Sequence, residues 1–295
     1  MFAKLKAALT PTPPPLKLNK NPPIKTNYTS LPVPLPPTFL TSLPSDARPI
    51  TTTPINWAKT PLPEYAGLYA VVLDHVLSPS ECATLLALAE ASPWGLALVN
   101  VGGGFEVLQE GYRNGERIVW DCQEVVDRIW ERCLQGGEGL RERFGVVGAD
   151  ERDIVGFAGR EGMRGGRWEF LRVNERMRFL RYGKGGFFKP HCDAAFADTR
   201  DPARTIRTMF TIHLYLNDSK AEVEGAELVG GATSFYSNDE KRKIDVNPKA
   251  GRVLIFQHRR LLHSGDDVRA GTKYTMRTDI MYEFRYAEKE EEEQS

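Results

Sequence analysis

The pair His191 and Asp193, separated only by Cys192, has the residue types and the spacing of metal ligands. On a strand, residues two positions apart project to the same face, so this imidazole and this carboxylate can reach one ion while Cys192 points away. A histidine from a distant strand would complete a 2-His-1-carboxylate set, which leaves three positions of an octahedral Fe(II) open. Taken alone, an H-x-D triplet is a weak signal, because such triplets arise by chance in many proteins.

Further short motifs surround this pair in a fixed order. They are LRYGKGGFFKPHCD (180–193), HLYLND (213–218), GGATSF (230–235), GRVLIF (251–256), LHSG (262–265) and GTK (271–273). In this order and spacing the chain resembles the prolyl 4-hydroxylase-like family of Fe(II)- and 2-oxoglutarate-dependent dioxygenases. The resemblance is strong over about residues 168–286 and looser over residues 64–135, and the linked motifs are specific where each one alone is not.

The resemblance implies a metal centre and a reaction. His191 and Asp193 match the family's H-x-D, and His263 matches the distal histidine of its H-x-G, so these three are the expected metal ligands and catalytic residues. Fe(II) is the implied metal, 2-oxoglutarate and O2 are the implied cosubstrates, and L-ascorbate is the implied reductant that rescues oxidised iron. The implied reaction hydroxylates a substrate and releases succinate and CO2. The family name suggests a peptidyl proline as that substrate, and a small molecule is the alternative.

The basic residue that anchors the far carboxylate of 2-oxoglutarate is expected at Lys273, because the resemblance places it ten residues after His263. Arg277 is the alternative, since it shares a strand face with Lys273 and can form the bidentate carboxylate pair that a lysine cannot. At about 3.3 Å per strand residue the two cations stand roughly 13 Å apart, so only one of them can reach the cosubstrate. Tyr182 matches a family tyrosine near the cosubstrate, and Tyr215 is a further candidate lining residue.

The remaining histidines are interpreted as structural. His258, five residues before His263, is expected at a strand end or beside the metal ligands rather than among them, and His75 and His213 are expected in structural roles. Cys192 is expected to face the core. Each proposed ligand, taken singly, also has an ordinary explanation as a hydrogen-bonded histidine or a turn aspartate, so the metal centre depends on the ordered set.

Proline dominates the N-terminal part of the chain. Fifteen of the 20 prolines lie between Pro11 and Pro63, and because proline lacks an amide donor and fixes φ, this part cannot build helices or inner strands. We predict a disordered leader over residues 1–63, a dioxygenase domain over 64–286 and an acidic tail over 287–295. The leader is a candidate ligand for a polyproline-binding partner such as an SH3 domain, and a plain leader is the simpler interpretation.

Two helices are predicted in the first half of the domain. Ser78 and Glu81 form a capping box in front of an amphipathic pattern, which predicts the start of the first helix. The second helix is predicted to begin at Asp121, with Glu124 as its capping-box partner, and to end at the glycines 136–137. Between residues 136 and 167 no element is predicted.

Beyond residue 168 the hydrophobic period changes from helical to two. The strand-like runs are RMRFLRY (176–182), IRTMFTIHLYLN (206–217), GATSFYS (231–237), RVLIF (252–256) and KYTMRTDIMYEFRY (273–286). Several strands without intervening helices predict an antiparallel barrel or a double-sheet jelly roll. We therefore expect a mainly β fold with flanking helices (α+β), with a double-stranded β-helix core over about residues 168–286 and N-terminal helices packed on one face.

Composition and charge disfavour several other classes of protein. The formal net charge is zero, so nothing global indicates nucleic acid or an anionic membrane as a partner. No apolar stretch is long enough to span a bilayer, and the four cysteines lack C-x-x-C spacing, which fits a reducing compartment. We expect an intracellular protein, cytoplasmic or nuclear. A mitochondrial address is the alternative, because two lysines and a short apolar stripe begin the chain.

Two other functions stay open at this stage. One is a catalytically silent jelly-roll binding module that acts through its proline-rich arm. The other is a different metalloenzyme of the same architecture, such as a cupin-type enzyme. The complete ligand set and the basic residue that follows it favour the dioxygenase.

Overall fold

The computed structural model describes residues 21–156 and 165–286. The predicted acidic tail and the first 20 residues of the predicted leader lie outside these ranges. The α-helices are α1 (Pro79–Ala89), α2 (Gln123–Leu134), α3 (Glu138–Gly145) and α4 (Arg152–Val155), and short 3-10 helices span Trp57–Lys59 and Pro63–Tyr65. The strands are β1 (Ile24–Lys25), β2 (Thr51–Pro54), β3 (Ala70–Asp74), β4 (Gly95–Leu96), β5 (Val99–Gly102), β6 (Phe105–Val107), β7 (Arg113–Asn114), β8 (Glu116–Asp121), β9 (Val146–Gly148), β10 (Gly166–Val173), β11 (Arg176–Tyr182), β12 (Phe187–His191), β13 (Ala197–Asp198), β14 (Ile206–Tyr215), β15 (Val229–Gly230), β16 (Thr233–Tyr236), β17 (Lys243–Val246), β18 (Val253–Gln257), β19 (His263–Gly265), β20 (Val268–Ala270) and β21 (Lys273–Tyr286). Within the described ranges, no helix is long and apolar enough to cross a membrane.

A large antiparallel sheet forms the scaffold of the molecule. Its strand order is β2-β3-β18-β14-β21-β11-β8-β4, with β10 paired to β21 and β9, and β13 paired to β14. The centre of the sheet is formed by β14 and β21, which are rich in the β-branched and aromatic residues that suit a pleated surface. The runs predicted as strands from their period of two therefore supply the middle of this sheet.

A smaller sheet with the order β17-β16-β19-β12-β7 faces the large one. Phe235 of β16 packs edge-on against Phe256 of β18, with ring centroids 5.4 Å apart, and so joins the two sheets. The sheets do not close into a barrel. The predicted mainly β jelly-roll fold with flanking helices is confirmed.

The strand β21 has one apolar face and one polar face, because side chains alternate along a strand. Met276, Ile280 and Tyr282 enter the hydrophobic core that also contains residues of α1 and α2. The alternate residues face the space between the two sheets; they are Lys273, Thr275, Arg277 and Asp279. The helices thus cover one face of the sheet, and the other face carries polar side chains into the interior.

The first helix begins as predicted and the second does not. In α1 the Ser78 hydroxyl accepts the N–H of Glu81, and the Glu81 carboxylate accepts the N–H of Ser78. Asp121 instead ends β8, and its carboxylate accepts two hydrogen bonds from Arg176 at 2.9 and 2.8 Å. The predicted capping box at α2 is therefore wrong, because a tertiary ion pair takes the carboxylate that would have formed it. In the stretch where no element was predicted, α3, β9, α4 and the start of β10 are present.

The prediction of a disordered leader over residues 1–63 is wrong for its described part, residues 21–63. β2 pairs with β3 as an edge strand of the large sheet. Its Pro54 is tolerated there because an edge strand needs no amide donor on its outer side. Because proline lacks an amide donor, it is excluded from inner strands of a sheet. It is not excluded from an edge strand, and β2 is one.

Several apolar side chains that lie between the prolines of this segment are buried in the fold, which the high proline content did not indicate. Phe39 and Leu40 belong to the main hydrophobic core. Trp57 is 2% exposed, and its indole N–H donates to the carbonyl of Leu68 at 2.8 Å. Burial of a few large apolar groups is enough to hold an extended, proline-rich segment against a sheet.

Candidate metal centre and cosubstrate pocket

The three predicted metal ligands come together between the two sheets. His191 ends β12 and His263 begins β19, and the two are paired across these strands. Asp193 lies two residues beyond the end of β12 rather than on the strand itself. The ligand atoms of the three residues all lie within 4.8 Å of one another. Cys192 is exposed, so the expectation that it faces the core is wrong: the chain leaves the strand here and turns this side chain to solvent.

Both imidazoles are oriented by backbone carbonyls. The Nδ1 of His191 lies 2.8 Å from the Lys189 carbonyl, and the Nδ1 of His263 lies 3.0 Å from that of Leu261. A carbonyl can only accept, so Nδ1 carries the proton and Nε2 presents its lone pair to the centre. Burial lowers the pKa of His191 to about 3 and also lowers the pKa of His263. Neutral imidazoles are the form that binds a metal, so this donor set fits Fe(II).

The carboxylate of Asp193 is held on both of its oxygens. Thr211 donates its hydroxyl to Oδ2 at 2.5 Å, and Arg277 places Nη1 3.0 Å from Oδ1. The Nε2 atoms of His191 and His263 each lie 3.8 Å from one carboxylate oxygen. Burial alone would raise the pKa of Asp193, but Arg277 and the surrounding histidines together outweigh burial and hold this pKa well below its usual range. Asp193 is therefore a fixed, ionised ligand.

Arg277 is the centre of a buried ionic network behind this carboxylate. Its Nη2 lies 3.1 Å from Oδ1 of Asp279. Asp279 also faces Nε2 of His258 at 3.3 Å and Nη1 of Arg178 at 3.3 Å. His258 thus lies behind the three ligand residues and not among them. The guanidinium of Arg277 is committed to two carboxylates of the protein, and this fixes Asp193.

Lys273 is buried without a carboxylate partner. The residue is 2% exposed, and no ion pair or hydrogen bond of its ammonium is found within residues 21–156 and 165–286. Its Nζ lies 5.6 Å from the ring centroid of Tyr215 and 6.0 Å from that of Tyr182. A Cβ added to Gly231 would come within 3.2 Å of Cδ of Lys273, so the glycine makes room for the lysine stem. Burial lowers the pKa of Lys273 to about 8.

Two buried polar atoms near Lys273 and the ligand cluster have no hydrogen-bond partner among the residues that the structure describes. They are Nε2 of His213 and the hydroxyl oxygen of Thr275. Thr275 separates Lys273 from Arg277 on the inner face of β21, and His213 is paired in register with Arg277. The structural role expected for His213 does not account for its free ring nitrogen. A buried cation and two polar atoms without partners, all on facing strands beside the ligand cluster, suit a small dianion that binds between Lys273 and the metal position.

Tyr182 lies at the same end of the interior as Lys273. The two residues are paired in register across β11 and β21. Nη2 of Arg113 donates to the Tyr182 hydroxyl at 3.2 Å, so the phenol retains its own proton for another acceptor. The geometry thus brings Tyr182 and Lys273 together, and it separates both from Arg277.

With this geometry established, the chain can be compared with known proteins. Residues 177–278 match the model of the 2OG-Fe(II) oxygenase superfamily. The predicted resemblance is confirmed. The matched stretch runs from β11 into β21 and contains all three ligand residues, Lys273 and Arg277. No curated protein matches the chain.

Solved structures of prolyl hydroxylases are similar to the chain. A viral collagen prolyl hydroxylase from Paramecium bursaria Chlorella virus-1, in its 2-oxoglutarate complex, is 21% identical with a TM-score of 0.44, covering 73% of this chain and 97% of that one. A prolyl-4-hydroxylase of Pseudomonas putida is 17% identical with a TM-score of 0.46, covering 74% and 95%. A Trichoplax adhaerens prolyl hydroxylase bound to a hypoxia inducible factor peptide fragment is 16% identical with a TM-score of 0.45, covering 72% and 82%. At such distances the substrate of this chain does not follow from theirs.

Several residues of this candidate site were not predicted from the sequence. They are Thr211, Asp279 and Arg178, together with the unpaired nitrogen of His213. Each lies on an inner face, in register with the face that carries Lys273 and Tyr182. Side chains alternate along a strand, so every second residue from Lys273 and from Tyr182 lies on the inner face. This alternation, together with the register of the sheet, would have identified these residues.

Proposed function

We propose that this chain is an Fe(II)- and 2-oxoglutarate-dependent dioxygenase that hydroxylates an organic substrate and releases succinate and CO2. One observation carries the proposal: the cluster of His191, Asp193 and His263 shares its interior with a buried lysine that pairs with no carboxylate in the described part of the chain. A buried charge is costly unless it is paired, so a site that retains one is expected to receive an anion. The superfamily match agrees with this assignment.

The metal would be held by the three ligand residues. When bound, Fe(II) supplies the activation of O2 that is coupled to oxidative decarboxylation of 2-oxoglutarate. Asp193 contributes one negative charge, and His191 and His263 contribute neutral lone pairs whose direction the backbone carbonyls fix. The buried location of the cluster excludes bulk water from the reacting atoms.

The cosubstrate would lie along the inner face of β21. Lys273 pairs with its far carboxylate, and the free atoms of His213 and Thr275 meet its polar middle. The Tyr182 hydroxyl donates a further hydrogen bond at the same end. Arg277 is a poor anchor because both sides of its guanidinium already hold carboxylates of the protein. Of the two candidates that the sequence left open, the contacts favour Lys273.

The identity of the hydroxylated substrate is a separate part of the proposal. A peptidyl proline is the substrate class that the sequence resemblance implies, and a small molecule is the alternative. L-Ascorbate is the expected reductant for iron that oxidises without product formation. A polyproline-binding partner for the N-terminal segment and an intracellular location stay predictions.

Release of succinate from 2-oxoglutarate tests the proposal. The purified full chain, supplied with Fe(II), 2-oxoglutarate and ascorbate, is expected to form succinate above an iron-free control. Asp193→Ala and His191→Ala are expected to reduce this rate to the level of that control while the proteins stay folded by circular dichroism. His75→Asn is the matched control, because His75 lies outside the ligand cluster and has a φ of 64°, which asparagine tolerates. Wild-type rates in iron-supplemented Asp193→Ala would refute the ligand assignment.

A further inference from the structure

A cavity of about 200 Å³ opens beside the buried ionic network of the metal centre. Its lining residues are Asn174, Glu175, Arg176, Arg178, Phe196 and Arg200. Arg178 connects the cavity to the metal centre, because it is paired in register with Arg277, which contacts the ligand Asp193. The cavity therefore connects to the ligand cluster through three side-chain contacts, from Arg178 to Asp279, from Asp279 to Arg277 and from Arg277 to Asp193.

The cavity and Lys273 lie on opposite sides of the ligand cluster. Along β21, Lys273 is paired with Tyr182, whereas Arg277 is paired with Arg178 four residues further on. The cosubstrate proposed above occupies the Lys273 end. The part of the interior beside Arg178 is therefore available for the molecule that is hydroxylated.

Arg178 is the lining arginine whose guanidinium is least engaged. It makes one ion pair, in which Nη1 lies 3.3 Å from Oδ2 of Asp279, and 28% of its side chain is exposed. Arg176 forms two hydrogen bonds with the Asp121 carboxylate, at 2.9 and 2.8 Å. Arg200 likewise donates hydrogen bonds to the Asp198 carboxylate from both Nε and Nη2. Arg178 thus has donors that face the cavity.

The same cavity has an apolar wall. Phe196 is 47% exposed although its backbone is fixed by Thr208, whose hydroxyl accepts the Phe196 N–H and whose N–H donates to the Phe196 carbonyl. An exposed aromatic ring on a fixed backbone is a ready surface for the carbon skeleton of a ligand. An arginine and a phenyl ring on one small cavity suit a molecule with an acidic end and an apolar body.

We infer that this cavity is the substrate pocket and that it selects a carboxylate, which Arg178 holds while Phe196 packs against the adjoining carbon atoms. The inference rests on the proposed dioxygenase function and names the substrate class of that same site. Neighbouring strands place the Cα atoms of Arg178 and Arg277 only about 5 Å apart, so a carboxylate held by Arg178 lies close to the residue that contacts Asp193. A cavity of about 200 Å³ suits a small acid or a single acidic side chain.

Ligand-observed saturation-transfer NMR tests this pocket apart from turnover. The full chain is loaded with 2-oxoglutarate and with Zn(II), which cannot support the oxidation. The probes are phenylacetate against its neutral amide phenylacetamide, and acetyl-Gly-Glu-Gly-amide against the peptide with glutamine. The first pair represents a free acid, and the second represents an acidic side chain of a peptide.

The wild-type chain is expected to bind the acid of at least one pair tenfold or more tightly than its neutral partner, as a charge-assisted bidentate contact implies. Arg178→Gln is expected to remove this preference, and Arg178→Lys to restore part of it. Arg167→Gln is the control, because the exposed Arg167 pairs with the neighbouring Glu169 near the start of β10 and does not line the cavity. The pair that shows the preference identifies the source of the carboxylate.

Equal binding of acid and neutral probe in both pairs would overturn the inference, as would a preference that survives in folded Arg178→Gln. Succinate release by the wild-type chain is measured on the same preparation. Succinate release without a carboxylate preference would refute the proposed substrate pocket, and it would still support the proposed dioxygenase function. A carboxylate preference without any iron-dependent succinate release defeats the proposed function instead.

Discussion

Arg277 lies 3.0 Å from Asp193, with its Nη1 against the carboxylate oxygen Oδ1. The strand β21, which begins at Lys273, therefore also carries the residue that fixes the carboxylate of the candidate ligand Asp193. Its second contact, Nη2 to Asp279 at 3.1 Å, prevents the guanidinium from swinging toward the cosubstrate. Two cations on one strand face thus have separate tasks, one at each end of the site.

Arg277→Gln should weaken metal binding more than it weakens binding of 2-oxoglutarate. Loss of a group that orients a ligand carboxylate costs roughly 10- to 100-fold in metal affinity or activity. Lys273→Ala should instead raise the apparent KM for 2-oxoglutarate with a smaller effect on metal affinity. Anaerobic Fe(II) titration and steady-state kinetics measure the two effects, with melting curves to confirm folding. The reverse order would assign the anchor to Arg277.

Binding of 2-oxoglutarate should weaken above about pH 8. Burial lowers the pKa of Lys273 to about 8, so the free protein carries this charge below pH 8 and loses it above. The apparent KM should then rise toward tenfold for each pH unit beyond 8. In Lys273→Arg the cation persists over the whole range, and the KM should be flat between pH 7 and 9.5. A flat wild-type profile over that range contradicts a lysine anchor.

Lys273→Met should stabilise the protein while it impairs function. The pKa of Lys273 falls from 10.5 in the unfolded chain to about 8 in the folded one, so the folded state binds fewer protons between these values and stability rises with pH there. Below pH 8 the full cost of the buried charge is present, on the order of 3 kcal/mol. Methionine removes this cost and should raise the melting temperature by several degrees at pH 7. The difference should disappear above about pH 10.5, and a lower melting temperature at pH 7 would contradict an unpaired lysine.

Trp57→Ala should destabilise the whole domain, although Trp57 lies in the segment predicted as a disordered leader. The side chain is 2% exposed, and its truncation also leaves the Leu68 carbonyl without its indole donor. Loss of a buried tryptophan costs about 3–5 kcal/mol. Leu43→Ala is the matched control from the same segment, because Leu43 is 69% exposed and should change stability by less than about 0.5 kcal/mol. Urea denaturation distinguishes the two, and equal small effects would mean that the segment is not part of the fold.

The parts of the fold that follow from local pattern were predictable. The period of two located β11 and β21 with their observed bounds, and the Ser78–Glu81 capping box located the start of α1. Asp121 was misassigned because its local sequence suits a cap, whereas its partner Arg176 is 55 residues away. Pairings over such distances are set by the register of the sheet, which a single sequence does not specify.

The clustering of His191, Asp193 and His263 was predictable from the sequence, and the residues that surround this cluster were not. His191, Asp193 and His263 are recognisable because rare residue types recur in a specific order. Thr211 and Arg178 are ordinary residues of alternating strands, and their roles arise only when register places them beside Asp193 and Arg277. The edge strand β2 was not predicted for a similar reason. Proline content indicates which backbone hydrogen bonds a segment cannot form, but it does not indicate whether the rest of the fold buries the segment's apolar side chains.

The central claim, that His191, Asp193 and His263 hold an iron that receives 2-oxoglutarate, is tested most directly by anaerobic absorption spectroscopy. Fe(II) is added to the full chain, and 2-oxoglutarate is added afterwards. The account predicts a visible metal-to-ligand charge-transfer band that appears only after the second addition, saturates at one equivalent, and is absent in Asp193→Ala. No band in the wild-type chain, or an unchanged band in Asp193→Ala, would contradict it.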